Sequence, residues 1–395
     1  MRKPTLLTLF LIVFIDLIGF GLIMPLLPYF ARDFGASGAE VGALFGVYSL
    51  MQFFFAPFWG RLSDRIGRRP ILLVSLAGST LSYVLLGLSH SYWAVFASRA
   101  LAGLCAANIS VANAYVADIT TKENRSKGMG VIGAAFGLGF ILGPALAGLS
   151  GSHGHSLPSF LAAGISGLSL ALAVVFLPES RKPGASEEHG ARKGRFEGWG
   201  QTLSRPMIGG LVLISFLVSV AFSKWEATFA LFLQGDIHFH YTVRTVGWLL
   251  AYLGILTAML QGGLLGRLVK RFGEPVLLKV GLGALASGLF LLPFSATFGE
   301  LFGCLTLLGI GLGTLRPVLF GTASILTGAD GQGLVLGVLE GAGSLGRIAG
   351  PLLGGWLLDH SLAWPFWSGT LVVLLALALT PPGKNVLEAK AASAA

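Results

Sequence analysis

Charge is scarce in this sequence. Asp, Glu, Lys and Arg make up 11% of its 395 residues, less than half of the roughly 25% that a water-exposed surface carries. Two or three soluble domains, which the length alone would suggest, are thereby excluded. Cysteine is nearly missing too: Cys105 and Cys304 both fall in apolar runs, so no disulfide framework is implied. No Walker-type loop, no Cys/His cluster and no nucleophile constellation occurs. An ATP-driven pump and a membrane-embedded enzyme lose their chemistry, and no cofactor or metal is expected. His238 and His240 have a spacing seen in some metal sites, but without Cys or carboxylates beside them they read as a solvated loop.

What is abundant is apolar. Hydrophobic residues reach 54% and mean hydropathy is +0.78. Runs of about 20 residues, long enough to cross hydrocarbon as helices, recur over 5–29, 38–59, 70–89, 93–117, 128–150, 158–177, 207–233, 244–265, 275–296, 299–326, 333–357 and 364–381. That predicts twelve spans, and the 57 glycines suit tightly packed membrane helices. Arg2 and Lys3 ahead of the first run resemble a signal peptide, but the run is too long, contains Asp16 and lacks a small-residue cleavage site. It reads as a retained first span.

The net charge of +9 invites a nucleic-acid reading, but its placement answers otherwise. With the N-terminus inside, twenty-one of the 27 Lys and Arg fall on cytoplasmic segments and only Arg32 and Arg244 on the opposite face. This asymmetry sets topology. A multi-pass protein of the inner (plasma) membrane is expected, with both termini cytoplasmic, the lipid bilayer as its surroundings and no nucleic-acid partner.

The sequence also repeats itself. Gly60-Arg61-Leu62-Ser63-Asp64-Arg65-Ile66-Gly67 is echoed 206 residues later by Gly266-Arg267-Leu268-Val269-Lys270-Arg271-Phe272-Gly273. Gly143-Pro144-Ala145-Leu146-Ala147-Gly148 returns 207 residues on as Gly350-Pro351-Leu352-Leu353-Gly354-Gly355, and Gly103 maps onto Gly309. Both halves begin on one side after an even number of crossings, so they are parallel repeats of the kind found in transporters. The expected fold is an all-α membrane protein of twelve transmembrane helices in two parallel pseudo-symmetric six-helix bundles. Residues 1–177 and 207–381 form the bundles, 178–206 a polar cytoplasmic linker, and 382–395 a disordered tail.

At these motifs the chain resembles a major facilitator superfamily transporter of the drug–proton antiporter type, most like the tetracycline–proton antiporters. Gly60 through Pro70, with Asp64, Arg65, Gly67, Arg68 and Arg69, is similar to the superfamily's loop between spans two and three. Asp16-Leu-Ile-Gly19-Phe-Gly21 through Pro28 is similar to the first span of drug antiporters. Gly139, Gly143, Pro144 and Gly148 resemble the span-five motif associated with antiport, Arg99-Ala-Leu-Ala-Gly103 the span-four arginine motif, and Ala117-Asp118 is also typical. The resemblance implies antiport, a loop that latches against span eleven, and a monomer. It departs at Ser82, Gly283 and Thr257, where the tetracycline antiporters are expected to carry two acids and a histidine. Fold and antiport logic carry over; tetracycline as cargo does not follow.

Ionisable groups at membrane depth are costly and face a cavity or a partner. Asp16 reads either as a proton carrier or as a structurally bonded carboxylate. Arg99 modulates that carboxylate, holds an anionic substrate, or packs against backbone carbonyls. Lys224 and Glu226 lie about 200° apart on one helix and meet different neighbours. Glu226 is a second proton site, a partner for a cationic substrate, or half of an ion pair. Glu340 and Arg347 share a helix face two turns apart, and Arg316 precedes Pro317. They form a substrate site with Glu340 as a further proton-coupling candidate, or an internal salt-bridge network. Asp64 suits a neighbouring helix N-terminus, and Asp118 is placed to pair with Arg65 or Arg68. Gln52, Asn108, Asn113 and Gln261, with Trp225, Phe229 and Tyr252, offer the mixed lining of a substrate cavity.

The leading expectation is therefore a proton-coupled secondary transporter exporting small amphiphilic compounds (drug:H+ antiport), its two bundles rocking about a central site. Its partners would be protons and an amphiphilic drug or organic anion. An importer or flippase of an anionic metabolite or lipid competes with it on the strength of Lys224, Arg316 and Arg347. A membrane scaffold fits less well, because it has no need of desolvated charge.

Overall fold

The computed structural model describes residues 5–121, 124–151, 154, 156–180, 199–235, 241–327 and 331–381. The His238–His240 loop, most of the expected linker and the tail from 382 lie outside them. Among the described residues every regular element is helical and no strand occurs. The chain divides into two units: Met1–Ala36, Ala43–Arg192 and Tyr241–Tyr252 form one, and Ser37–Gly42, Lys193–His240 and Leu253–Ala395 the other.

The first unit contains α1 (Leu6–Ile23), α2 (Leu27–Asp33), α3 (Gly38–Ile66) beyond its first turn, α4 (Arg68–Gly87), α5 (Tyr92–Cys105), α6 (Asn108–Ile119), α7 (Arg125–Ser150) and α8 (Ser156–Phe176). Two spans expected as continuous are broken. The first run stops after Ile23 and restarts at Leu27 with Pro28 in its opening turn, where a missing N–H costs nothing. The fourth run breaks between Cys105 and Asn108. There the Ser75 hydroxyl donates to the Cys105 carbonyl and accepts from the Ala107 N–H at 3.2 Å. Non-helical backbone at membrane depth needs such substitutes for its lost bonds.

Small residues set how closely helices meet. Gly21 and Gly139/Gly143 let α1 and α7 approach backbone to backbone: a Cβ on Gly143 would stand 2.6 Å from the Gly21 Cα. Further along α7, Gly148 faces the Arg244 backbone and Gly247 faces the Pro144 carbonyl. A core of Leu9, Ile12, Val13, Leu72, Ala112, Tyr115 and Ala135 fills the space between α1, α4, α6 and α7.

The second unit contains α9 (Trp199–Leu203), α10 (Pro206–Gly235), the end of α11 (Val243–Met259) from Leu253 on, its start belonging to the first unit, and α12 (Leu265–Phe272), α13 (Glu274–Leu291), α14 (Phe298–Thr327), α15 (Gln332–His360) and α16 (Trp364–Ala378). A π turn over Leu260–Leu264 joins α11 to α12 into one span. The linker expected over 178–206 is structured at its far end: Trp199 of α9 lies against Gly341, and Leu203 against Gly209. At its C-terminal end α15 offers Asp359, whose carboxylate accepts from the Gly38 N–H at 2.5 Å and the Ala39 N–H at 2.8 Å. That carboxylate satisfies orphan donors at the N-terminus of α3.

Among the described residues ten helices, Leu6–Ile23 to Phe298–Thr327, are long and apolar enough to cross a membrane. Of the remaining two expected spans, α15 has the length, at 29 residues, but is interrupted by Glu340 and Arg347. The other, α16, is apolar but only 15 residues long.

The α1–α7 contact yields a test. Gly143→Ala overpacks a backbone crossing and should cost about 1–3 kcal/mol, read as a lower melting midpoint in detergent. Gly133→Ala, at a position with open space, should leave the midpoint unchanged.

Candidate functional site

Asp16 sits on α1 with 2% of its surface exposed. Its Oδ1 accepts from the Ser166 hydroxyl of α8 at 3.0 Å, and its Oδ2 accepts from the Asn108 amide nitrogen. The break before α6 is what delivers Asn108, at the first helical residue, to this carboxylate. Hydrogen bonds to a charged group contribute about 1.5–3 kcal/mol each, which offsets part of the cost of burial. Among the described residues no ion pair reaches Asp16. Sequence reasoning found Asp16 and Asn108 but assigned Asn108 to a substrate cavity. It missed Ser166, because an ordinary serine 150 residues away carries no signal until α1 and α8 are packed.

Arg99 lies on α5 with 1% exposure. Its guanidinium stacks on the Tyr48 ring at 4.7 Å, while its Nε and one Nη find no hydrogen-bond partner among the described residues. Such a group is expensive to bury, and the aromatic face returns only a fraction of that. Tyr83, buried on α4, is close enough to interact electrostatically with both Asp16 and Arg99. Neither tyrosine was marked from sequence.

The Gly60–Pro70 motif ends in a sharp turn. Gly67 has φ +106°, which strains any residue with a Cβ, and its repeat counterpart Gly273 has φ +77°. Beyond the turn Arg68 is buried and collects three oxygens: Asp64 at 2.7 Å, Asp118 at 3.0 Å and the Ser63 hydroxyl at 2.7 Å. Of the two partners expected for Asp118, Arg68 is thus in contact. Arg61 bonds its own helix at the Pro57 carbonyl, and Arg69 donates to the Val174 carbonyl at 2.7 Å. Arg65 is exposed.

Glu179 completes this cluster and was missed. Its carboxylate accepts from the backbone N–H of Arg68 at 2.8 Å and of Arg69 at 3.0 Å, capping α4 where Gly67 has no side chain to do so. Ser180 beside it donates to Asp118 at 3.0 Å. The near end of the expected linker is therefore docked. Only the distance between 67 and 179 hid it, since Glu in a polar stretch reads as solvated.

In the second unit Glu340 is shared by two guanidinium groups. Arg316 of α14 reaches its Oε2 at 3.0 Å and Arg347 its Oε1 at 3.1 Å, with Ser344 also accepting from Arg347 at 2.9 Å. Glu226 of α10 interacts electrostatically with Arg347. Lys224 faces elsewhere: it is 2% exposed and donates to the Ser368 hydroxyl of α16 at 3.0 Å. The separation expected from their spacing holds. Trp225 is buried with its indole N–H unpartnered among the described residues.

Gln52 and Asn113 are half-buried. Gly60 has open space around it. In the antiport motif, Gly139 and Gly143 face α1, while Pro144 and Gly148 face the start of α11. A cavity of about 310 Å³ in the first unit is lined by Leu22, Leu146, Leu149, Ser150, Leu157, Leu161 and Ile165. None of the expected cavity residues lines it.

Helices of this length and apolarity, interrupted where ionisable groups are answered by neighbouring helices, define a multi-pass membrane transporter. The chain belongs to the Major Facilitator Superfamily, whose model matches residues 9–238 and 225–393. It is 34% identical over 401 residues to the class E tetracycline resistance protein of Escherichia coli, covering 97% of this chain and 96% of that one. Multidrug resistance protein 2 of Bacillus subtilis is 32% identical over 375 residues, with 93% and 92% covered. Among solved structures, the human organic anion transporter MFSD10 (TETRAN) matches with a TM-score of 0.71 at 26% identity, covering 96% of this chain and all of that one.

Removing the α4 cap has a local readout. Glu179→Ala should cost about 1 kcal/mol, so the Arg68 and Arg69 amides should exchange with deuterium about fivefold faster. Exchange in the α13–α14 region should not change.

Proposed function

We propose that the chain is a proton-coupled exporter of small amphiphilic compounds and that Asp16 carries the proton. The observation behind this reading is the kind of partner Asp16 has. Among the described residues two neutral donors hold it and no cation does. An ion-paired carboxylate would strand a buried guanidinium on protonation. Here the protonated form is equally well served: the new O–H donates to the Ser166 hydroxyl, which turns to accept, while Oδ2 still accepts from Asn108. Asp16 can therefore gain and lose a proton without breaking the packing of α1, α6 and α8.

Arg99 supplies a fixed positive charge in the same unit, and Tyr83 interacts with both groups. In the proposed cycle substrate and proton occupy the protein alternately, and two six-helix bundles rock, with α15 and α16 as spans eleven and twelve. The Asp64–Arg68–Asp118–Glu179 cluster stabilises one end state. Both termini lie in the cytoplasm, the membrane is the bacterial inner membrane, and the working unit is a monomer. The names of the relatives, tetracycline resistance and multidrug resistance, support small organic molecules as cargo and export as the direction.

Inside-out proteoliposomes provide the test. With an acidic interior, the full-length protein should concentrate at least one of tetracycline, ethidium and 1-naphthalenesulfonate. Asp16→Asn, which keeps size and hydrogen bonding but holds no proton, should reduce that uptake to the protein-free background. Uptake by Asp16→Asn equal to that of the unaltered protein would overturn the assignment.

A further inference from the structure

Arg316 stands near the middle of a 30-residue membrane helix, α14, yet 66% of its side chain is exposed. A guanidinium at that depth is not tolerated against lipid tails, so its face of the second unit is wetted. Among the described residues only one of its five N–H groups is engaged, by Glu340. Phe320, one turn on, lies beneath the guanidinium at 5.7 Å and provides an apolar flank to a charged fork.

The ion-pair contacts point the same way. Arg316 and Arg347 together bring two positive charges to one carboxylate, whose two oxygens are each used by one of them. The second acid in reach, Glu226, acts on Arg347 from α10 without an ion-pair contact. Arg347 spends one Nη on Glu340 and Ser344, which leaves its other N–H groups available. Of the two acids and two guanidinium groups only Glu340 makes ion-pair contacts with both arginines, and the cluster is open on the Arg316 side. A purely structural network would be expected to close its charges against each other and exclude water.

We propose that Arg316 and Arg347, held by Glu340, form the docking point for the acidic group of an organic anion, a carboxylate or sulfonate whose apolar body lies along Phe320. Glu340 acts in two ways. It orients both guanidinium groups, and it competes with the incoming anion for them, which keeps binding weak enough for release. This inference rests on the transporter reading above and deepens it by naming a substrate class, but it does not depend on Asp16 being the proton carrier.

Equilibrium binding of 1-naphthalenesulfonate to the purified full-length protein in detergent tests the site, with ethidium as a permanent cation for comparison. Arg316→Gln should weaken sulfonate binding about tenfold or more, as expected for loss of a charge-assisted contact, and should not weaken ethidium. Arg316→Lys should keep part of the affinity, because the charge remains while the fork is lost. Glu340→Gln should tighten sulfonate binding, since the competing charge is removed. No measurable sulfonate binding by the unaltered protein, or equal affinity in Arg316→Gln with its melting midpoint preserved, would overturn the proposal. Binding is read without any transport step. Arg316-dependent binding together with full transport by Asp16→Asn would therefore refute the proton assignment alone.

Discussion

A charge carried into an apolar helix has to be answered by another part of the protein, and most of what is particular to this chain follows from how each charge is answered. Asp16 is met by neutral donors, Arg99 by an aromatic face, Lys224 by a single hydroxyl, and Glu340 by two cations. These are four different electrostatic solutions, and each permits a different chemistry. Neutral donors tolerate a change of protonation. Guanidinium groups left open to water tolerate an added anion. A lone hydroxyl beside an ammonium buried between α10 and α16 suits packing.

Backbone breaks are the means by which these answers are delivered. Ser75 bridges the gap between α5 and α6, and that gap is what sets Asn108 against Asp16. Glycines act in the complementary sense. They bring α1 against α7 backbone to backbone, beside the turn that carries Asp16. The two repeats share this small-residue framework and diverge in charge. Asp64 joins a cluster with Arg68 and Asp118 in the first, whereas Lys270 occupies its place in the second.

Much of this was legible in the sequence, for physical reasons. Composition alone required membrane helices, because 11% charged residues cannot cover a soluble surface. The ionisable residues announced themselves by their cost in apolar runs, and the seven-residue spacing of Glu340 and Arg347 put them on one helix face. What was not legible is whatever depends on tertiary proximity alone. Ser166, Tyr48, Tyr83 and Glu179 are unremarkable residue types until helices are packed. The Cys105–Asn108 break was also invisible, since no proline marks it and the run stays apolar throughout. The twelve expected spans met their limit at α15 and α16, one interrupted by charge and the other short.

The coupling at the heart of this mechanism is that substrate binding drives the proton off Asp16. Its most direct test is proton release from the purified protein in weakly buffered detergent solution, followed with a pH-sensitive dye as substrate is added. Release is expected from the unaltered protein, saturating with the same concentration dependence as binding, and none from Asp16→Asn despite retained binding. Equal proton release from both proteins would contradict it.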